Sequence, residues 1–412
     1  MTTTSLSGLR PCLLVSVLVV TAQPPIARAA AALRVEAGDY ERSGTVVSFQ
    51  LPAGTGPFNQ LEDEKGLRVP LQVEPDGRAT FVLASLARGA THRFRLTHDP
   101  AAGESAQPRV KAERAGSAVR FLVDGRPALQ YQAEMSELPR VNLKPIFRRG
   151  GYLHPVYSPS GLVVTDDYPP NHQHHHGIWF PWTKTEFEGR TPDFWNMGEG
   201  KGTVEFVAVD GFWSGHVHGG LRARHRFVDL TAPSPKTVLL ESWEVRTYRM
   251  PPAPRPYHLF DLVSTQQCAT ASPLKLPEYH YGGLGVRGHW DWNGKEHTTF
   301  LTSSGETDRV KGNTTRGRWC HMGGQVGGQP TGLAILDHPG NFRAPQPMRL
   351  HPSEPFFCYA PSQLGDWSIE PGTPYVSRYR FVVFDGPADR EWIERLWNDY
   401  AHPPKVVLVA LD

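Results

Sequence analysis

Five stretches decide the fold: GTVEFVAVDGFW (202–213), LRARHRFVDL (221–230), TVLLESWEVRTYRM (237–250), HLFDLVSTQQC (258–268) and SRYRFVVFDG (377–386). Apolar and polar side chains alternate along them, and a period of two turns successive residues to opposite faces of a sheet. Several run beyond eight residues, which favours wide antiparallel sheets over short Greek-key strands. The expected fold is therefore all-β: a large antiparallel β-sandwich, of which the mutarotase-like supersandwich is one form. AVRFLVDG (118–125) adds a hairpin arm that turns at Asp124-Gly125. Only ADREWIERLWNDYA (388–401) has helical spacing, with Trp392, Leu396 and Tyr400 on one stripe, and it is expected to pack on the sandwich as a C-terminal helix. These elements place the main domain at residues 109–405.

Upstream, TVVSFQLP (45–52), LRVPLQV (67–73), ATFVLASL (79–86) and THRFRLTH (91–98) are short alternating runs punctuated by Gly, Pro and Asp. They predict a small N-terminal β-sandwich module over 33–99, which holds no cluster of catalytic residue types. PAAGESAQP (100–108) reads as the linker to the main domain. Residues 1–30 have the parts of a secretory signal. Arg10 precedes the apolar run CLLVSVLVV (12–20), and small residues follow, which places cleavage near Ala29 to Ala32. The run is shorter than the roughly 20 apolar residues of a spanning helix, and no later stretch is longer. The mature chain is expected to be periplasmic or secreted, with no membrane span.

A formal net charge of +2, spread evenly, gives no basic stripe, so nucleic acid is not an expected partner. Eleven tryptophans supply flat apolar faces of the kind that stack on sugar rings, although most Trp in any protein serve its core. Cys268, Cys320 and Cys358 remain after cleavage, which allows at most one disulfide. No Cys-x-x-Cys pair exists, which disfavours thiolate zinc and thioredoxin-like redox chemistry.

Three segments could carry chemistry. DDYPPNHQHHHGIWFPW (166–182) holds His172, His174, His175 and His176. If it is extended, His172, His174 and His176 share one face and His175 turns away. Such a trio could act as general acid or base, or bind a divalent transition metal. Gly177 then permits close approach, and Trp179 and Trp182 offer apolar platforms. EYHYGGLGVR (278–287) sets three glycines between His280 and Arg287, whose planar fork suits a carboxylate or vicinal hydroxyls. DHPGNFR (337–343) follows an apolar strand and displays Asp337, His338, Asn341 and Arg343 on a loop. His216-x-His218 has metal-like spacing but equally fits a solvated hairpin tip.

The order of PVYSPSG (155–161), NHQHHHGIWF (171–180), YGGLGVR (281–287) and DHPGNFR resembles the exported proteins known as the PmoA-like family, over about 109–385. That label borrows the name of a methane monooxygenase subunit, a membrane protein, whereas no spanning helix is expected here. The family has no settled activity; its members resemble β-sandwich proteins of polysaccharide-degrading bacteria. The resemblance carries over to His174, His176, Gly177, Trp179, Gly283, Arg287, Asp337, His338, Asn341 and Arg343.

Three functions compete. The first is a carbohydrate-active enzyme, a hydrolase, lyase or epimerase working on a glycan or other small polar substrate. In it His174, His176, Arg287, His338 and Arg343 are catalytic and Trp179, His280, Asp337 and Asn341 bind substrate, with no cofactor. The acids near the motifs are Asp166, Asp167, Glu186, Glu188, Asp193, Glu278 and Asp337, from which a glycosidase would need a converging pair. The second is a metal-dependent oxygenase using His172, His174 and His176, as the family label suggests. The third is a non-catalytic glycan-binding protein. The enzyme reading expects all three segments around one concave pocket with Trp179 at its wall.

Overall fold

A computed structural model describes residues 1, 2, 31–100, 107–134 and 138–410, so the expected signal segment and the middle of the linker lie outside the described residues. The main body is built from two eight-stranded antiparallel sheets. The first runs, in order across the sheet, Gly202–Trp213, His218–Asp229, Lys236–Tyr248, Tyr257–Cys268, Tyr375–Asp385, Gln329–Asp337, Trp319–Val326 and Thr299–Thr302. The second runs Met348–Leu350, Phe356–Tyr359, Leu284–Arg287, Ile178–Trp179, Tyr152–Val156, Arg126–Gln132, Ala118–Val123 and Val110–Ala115. The five long stretches all fall in the first sheet. The expected hairpin is present, with Asp124 and Gly125 at φ +50° and +80° joining Ala118–Val123 to Arg126–Gln132.

Alternation fills the space between the sheets. Leu221, Ala223, Trp243, Val245, Phe260, Leu262, Ile335 and Phe381 of the first sheet share a core with Phe121, Leu129, Leu153, Ile178, Val286, Phe357 and Tyr359 of the second. The intervening residues of the second sheet face outward, yet they are covered as well: Tyr152, Trp179, Phe356 and Cys358 form a further apolar cluster with Trp195. A sheet buried on both faces needs something laid over its outer side, and here that cover carries the histidines.

The helix Arg390–Ala401 is capped by Asp389, whose carboxylate accepts from Trp392 N. Its buried stripe is Ile393, Leu396 and Trp397, one position round from the predicted stripe, against Ala334, Leu336, Val382 and Phe384 on the outer face of the first sheet. The N-terminal residues make a five-stranded and a three-stranded sheet around Leu33, Val35, Leu61, Phe81 and Phe94. The strand Lys405–Ala410 pairs antiparallel with Ala31–Glu36, so the last strand of the chain belongs to this N-terminal sheet. The sequence pattern ends the main domain at 405 and assigns that strand no partner, because pairing between chain ends leaves no local signature. The buried Arg42–Asp399 ion pair, 3.0 Å, ties this region to the helix. No described helix is long and apolar enough to cross a membrane.

One polar network crosses the apolar core. His225 Nδ1 lies 2.9 Å from Glu241, its Nε2 lies 2.7 Å from the Tyr131 hydroxyl, and Glu241 also accepts from Ser264 and Gln266. Removing one partner of a buried pair leaves the other without compensation, at about 3–5 kcal/mol. Glu241→Ala is therefore expected to lower the unfolding free energy by about that amount in urea titration. A loss below about 1 kcal/mol would show that the network does not stabilise the sandwich.

Candidate functional site

The two-residue strand Ile178–Trp179 lies between Tyr152–Val156 and Leu284–Arg287, pairing Leu153 with Ile178 and Trp179 with Gly285. Gly177 enters this strand so close to its neighbour that a Cβ would sit 2.2 Å from Leu153 O. Only glycine fits there. The residues before it are not extended. His172 N donates to Pro169 O and His175 N to His172 O at 2.8 Å, so the segment after Pro169-Pro170 folds as consecutive turns. Turns break the period of two, and this corrects the expected face: His172, His174 and His175 come together, while His176 turns away.

The three rings lie 4.7–5.8 Å apart by centroid. With Thr183, Trp195, Asn196, Tyr279, Tyr281 and His351 they line a cleft of about 230 Å³ over the outer face of the second sheet. Asp193 holds one wall, accepting from Thr183 Oγ1 and Asn196 Nδ2. The glycine corner holds the other: a Cβ on Gly283 would meet Tyr359 O at 2.2 Å, and this close approach delivers Tyr279 and Tyr281 to the rim. Trp179 is fully buried, 5.3 Å by centroid from His175 and 5.8 Å from Phe356. It is the floor beneath the histidines and not an exposed platform.

Burial holds these imidazoles neutral. Desolvation, helped by neighbouring His172, His176 and Arg287, brings His174 down to about 4. Desolvation and Arg349 bring His351 to about 4, and desolvation also lowers His172 and His175. His351 Nδ1 accepts from the backbone N–H groups of Glu354 (3.0 Å) and Ser353 (3.3 Å). A neutral ring that accepts at Nδ1 carries its proton on Nε2, so His351 is a donor at that atom. The Nδ1 atoms of His172 and His175 are buried without a hydrogen-bond partner.

Behind the cleft, Arg287 is fully buried and donates to Glu354 (2.8 Å) and Asn293 (2.7 Å). Glu354 also accepts from Asn171 and stands 4.0 Å from His172 Nδ1. Burial, the largest single influence, pushes the Glu354 carboxyl up, but the hydrogen bond and charge of Arg287, with Asn171 and His172, together hold it below its ordinary value. Arg287 therefore supports the histidine loop from below, without entering the cleft wall. His176, buried on the opposite side, makes a 2.7 Å hydrogen bond through Nδ1 to Asp167, which also accepts from the Tyr152 hydroxyl. Burial raises Asp167 to about 6 and drives His176 well down. This pair clamps the loop and does not face the cleft.

The third motif does not join the site. Asp337 is buried and accepts from Asn341 Nδ2 and Gln346 N, Asn341 is bonded to the Arg378 backbone at both ends of its amide, and His338 packs on Tyr400. Arg343 donates to the carbonyls of Pro361, Gly365 and Asp366. The expected display of ligands at this strand end is absent, because these polar side chains brace the loop itself. His280 is exposed beside the rim, its ring 4.5 Å by centroid from Tyr281. His218 is buried and accepts from Trp213 Nε1, so the His216-x-His218 spacing builds no joint site.

His351, Trp195, Asn196 and Glu354 escaped the sequence pattern. None sits in a run of chemically distinctive residues, and only the packing of three loops on one sheet face assembles them. Among the described residues, no group of three or more His, Cys, Asp or Glu is arranged to hold a metal ion. His172 and His175 stack at 16° between ring planes, so their lone pairs lie in nearly parallel planes and cannot converge on one tetrahedral ion. Among the described residues Cys268, Cys320 and Cys358 are free thiols.

Residues 118–398 match a family of unknown function, DUF6807. The match makes no link to the PmoA-like proteins. No curated protein matches the chain. A solved structure described as a protein in the glycosyl hydrolase family 38 from Enterococcus faecalis is similar at a TM-score of 0.39 and 8% identity. The alignment covers 93% of this chain and 48% of that one, so this chain spans about half of its length.

The depressed histidines imply a sign for pH dependence. Each folded pKa lies below its unfolded value, so the stabilisation is present above about 6.5 and is lost as pH falls toward 4. His351→Gln is expected to flatten the decline of unfolding free energy between about pH 6.5 and 4.5. A decline identical to that of the unaltered protein would show that His351 is not held neutral by the fold.

Proposed function

This chain belongs to the family of unknown function that its residues 118–398 match, and we propose that its cleft takes one sugar unit of a glycan and exchanges protons with it. The observation that carries this reading is the composition of the wall: four imidazoles without charge at pH 7, beside Trp195, Tyr279 and Tyr281, around about 230 Å³. A neutral imidazole offers one donor and one acceptor, the pattern that a hydroxyl group itself offers. Aromatic rings supply the flat apolar contact that a sugar ring needs. The signal pattern at residues 1–30 supports a periplasmic or secreted location.

In this reading His174 takes a proton from the substrate and returns it, while His351, neutral with its proton on Nε2, donates a hydrogen bond to the substrate oxygen beside it. Among the described residues no Asp or Glu lines the cleft, Asp193 lying behind Thr183 and Asn196. That argues against a paired-carboxylate glycosidase, in which two acids must flank the bond. The Arg287–Glu354 pair and the Asp167–His176 clamp act as positioning residues. The low basicity of the rings favours, as the second reading, a glycan-binding protein without turnover.

His174→Ala is expected to lower turnover of soluble oligosaccharides by about 100-fold or more, with the melting temperature nearly unchanged. Wild-type binding without turnover, abolished in the variant, would select the second reading. Turnover and binding both preserved in His174→Ala and His351→Gln would remove the cleft from the function.

A further inference from the structure

We propose that the sugar unit this cleft takes is an acidic one, whose carboxylate is met by Arg349; the inference rests on the proposed sugar-binding role of the site. Arg349 lies on the strand Met348–Leu350, paired with Cys358. Met348 and Leu350 point into the core between the sheets, so Arg349 projects outward onto the face that carries the cleft. Its guanidinium stands over the Tyr281 ring, 4.8 Å from the centroid, and Nη2 donates to the Tyr281 hydroxyl at 3.1 Å. Tyr281 lines the cleft.

Arg349 has no carboxylate partner among the described residues and an unpaired Nε. A guanidinium has five N–H donors. The Tyr281 hydroxyl is its one hydrogen-bond partner among the described residues, and its Nε is buried with none. Carboxylates answer several other arginines of the fold, Arg287 by Glu354, Arg380 by Asp261 and Arg246 by Glu74 and Glu244, whereas buried Arg149, away from the cleft wall, also has none among the described residues.

The acids near the cleft are committed or outside it. Glu354 serves Arg287 and Asn171. Asp193 accepts from Thr183, Asn196 and the backbone N–H groups of Trp195 and Asn196. Glu278 is exposed and absent from the cleft wall. Lys184 adds a second cation at this edge, bonded only to the carbonyl of Glu278 among the described residues.

The neutral imidazoles of the cleft thus have an uncompensated positive charge beside them, since Arg349 stands against the lining residue Tyr281 and acts on the lining residue His351. A planar guanidinium with free donors is matched by a planar carboxylate, which can take two of them at once. A sugar carrying a carboxylate satisfies both halves of the site, its hydroxyls meeting the imidazoles and its acid meeting Arg349. A neutral hexose leaves the guanidinium unanswered.

The test is isothermal titration of the full mature protein with D-galacturonate and D-glucuronate, and with D-galactose and D-glucose as uncharged counterparts. At least one uronate is expected to bind about tenfold or more tightly than its hexose, with the gap shrinking as salt is raised. Arg349→Gln is expected to bring that ratio close to one, and Arg349→Lys, which keeps the charge but not the fork, to restore part of it. Melting curves of both variants separate loss of recognition from loss of fold. Hexose binding equal to uronate binding, or a ratio indifferent to Arg349→Gln, overturns the acidic-sugar inference and leaves the sugar site standing. Absence of binding by all four sugars overturns both.

Discussion

Gly177 sits against the Leu153 carbonyl with no room for a side chain, and the candidate site depends on that contact. It lets Ile178–Trp179 insert between two strands that would otherwise lack a common neighbour. Insertion puts Ile178 in the sandwich core and Trp179 on the outer face, and it forces the preceding residues to leave the sheet as turns. The Asp167–His176 bond and the Arg287–Glu354 pair then hold that departing chain from two sides. What is left facing outward is His172, His174 and His175, joined by His351 from another loop.

The electrostatic character of the cleft follows from this packing. Four imidazoles close together over apolar rings cannot all carry charge, since each lacks water and would repel its neighbours. Their shared neutrality is a property of the cluster more than of any single ring. The same desolvation that makes them weak bases leaves the buried Nδ1 atoms of His172 and His175 without a hydrogen-bond partner, that of His172 facing Glu354 behind the cleft. Such unpaired buried atoms are costly, and the tight packing of the loop has to offset them.

Much of the fold was legible in sequence because period-two alternation is a local signal. The long runs at 202–268 and 377–386 are five neighbouring strands of one sheet, from its edge inward, and the capped stripe at 388–401 is the helix. The site was less legible. The histidine cluster was visible as composition, but the alternation rule assigned His176 inward and His175 outward, the reverse of what the turns after Pro169-Pro170 produce. The DHPGNFR loop looked like chemistry because its residue types are shared by binding sites and by self-bracing loops. Its hydrogen bonds to residues 346, 361, 365, 366 and 378 are long-range and could not be read locally. His351 was invisible for the opposite reason, being an isolated residue whose partners are brought to it only by the second sheet.

The central claim is that neutral histidines on this sheet face form the ligand site. Nitrogen-15 NMR of the imidazole rings tests it most directly, because tautomer and charge are both read from the ring shifts. At pH 7 the rings of His172, His174, His175 and His351 should all be neutral, with His351 protonated on Nε2, and added sugar should move these resonances and leave His338 in place. Imidazolium signals from the cluster at pH 7, or ligand shifts centred on His338 and not on His174 and His351, would contradict the account.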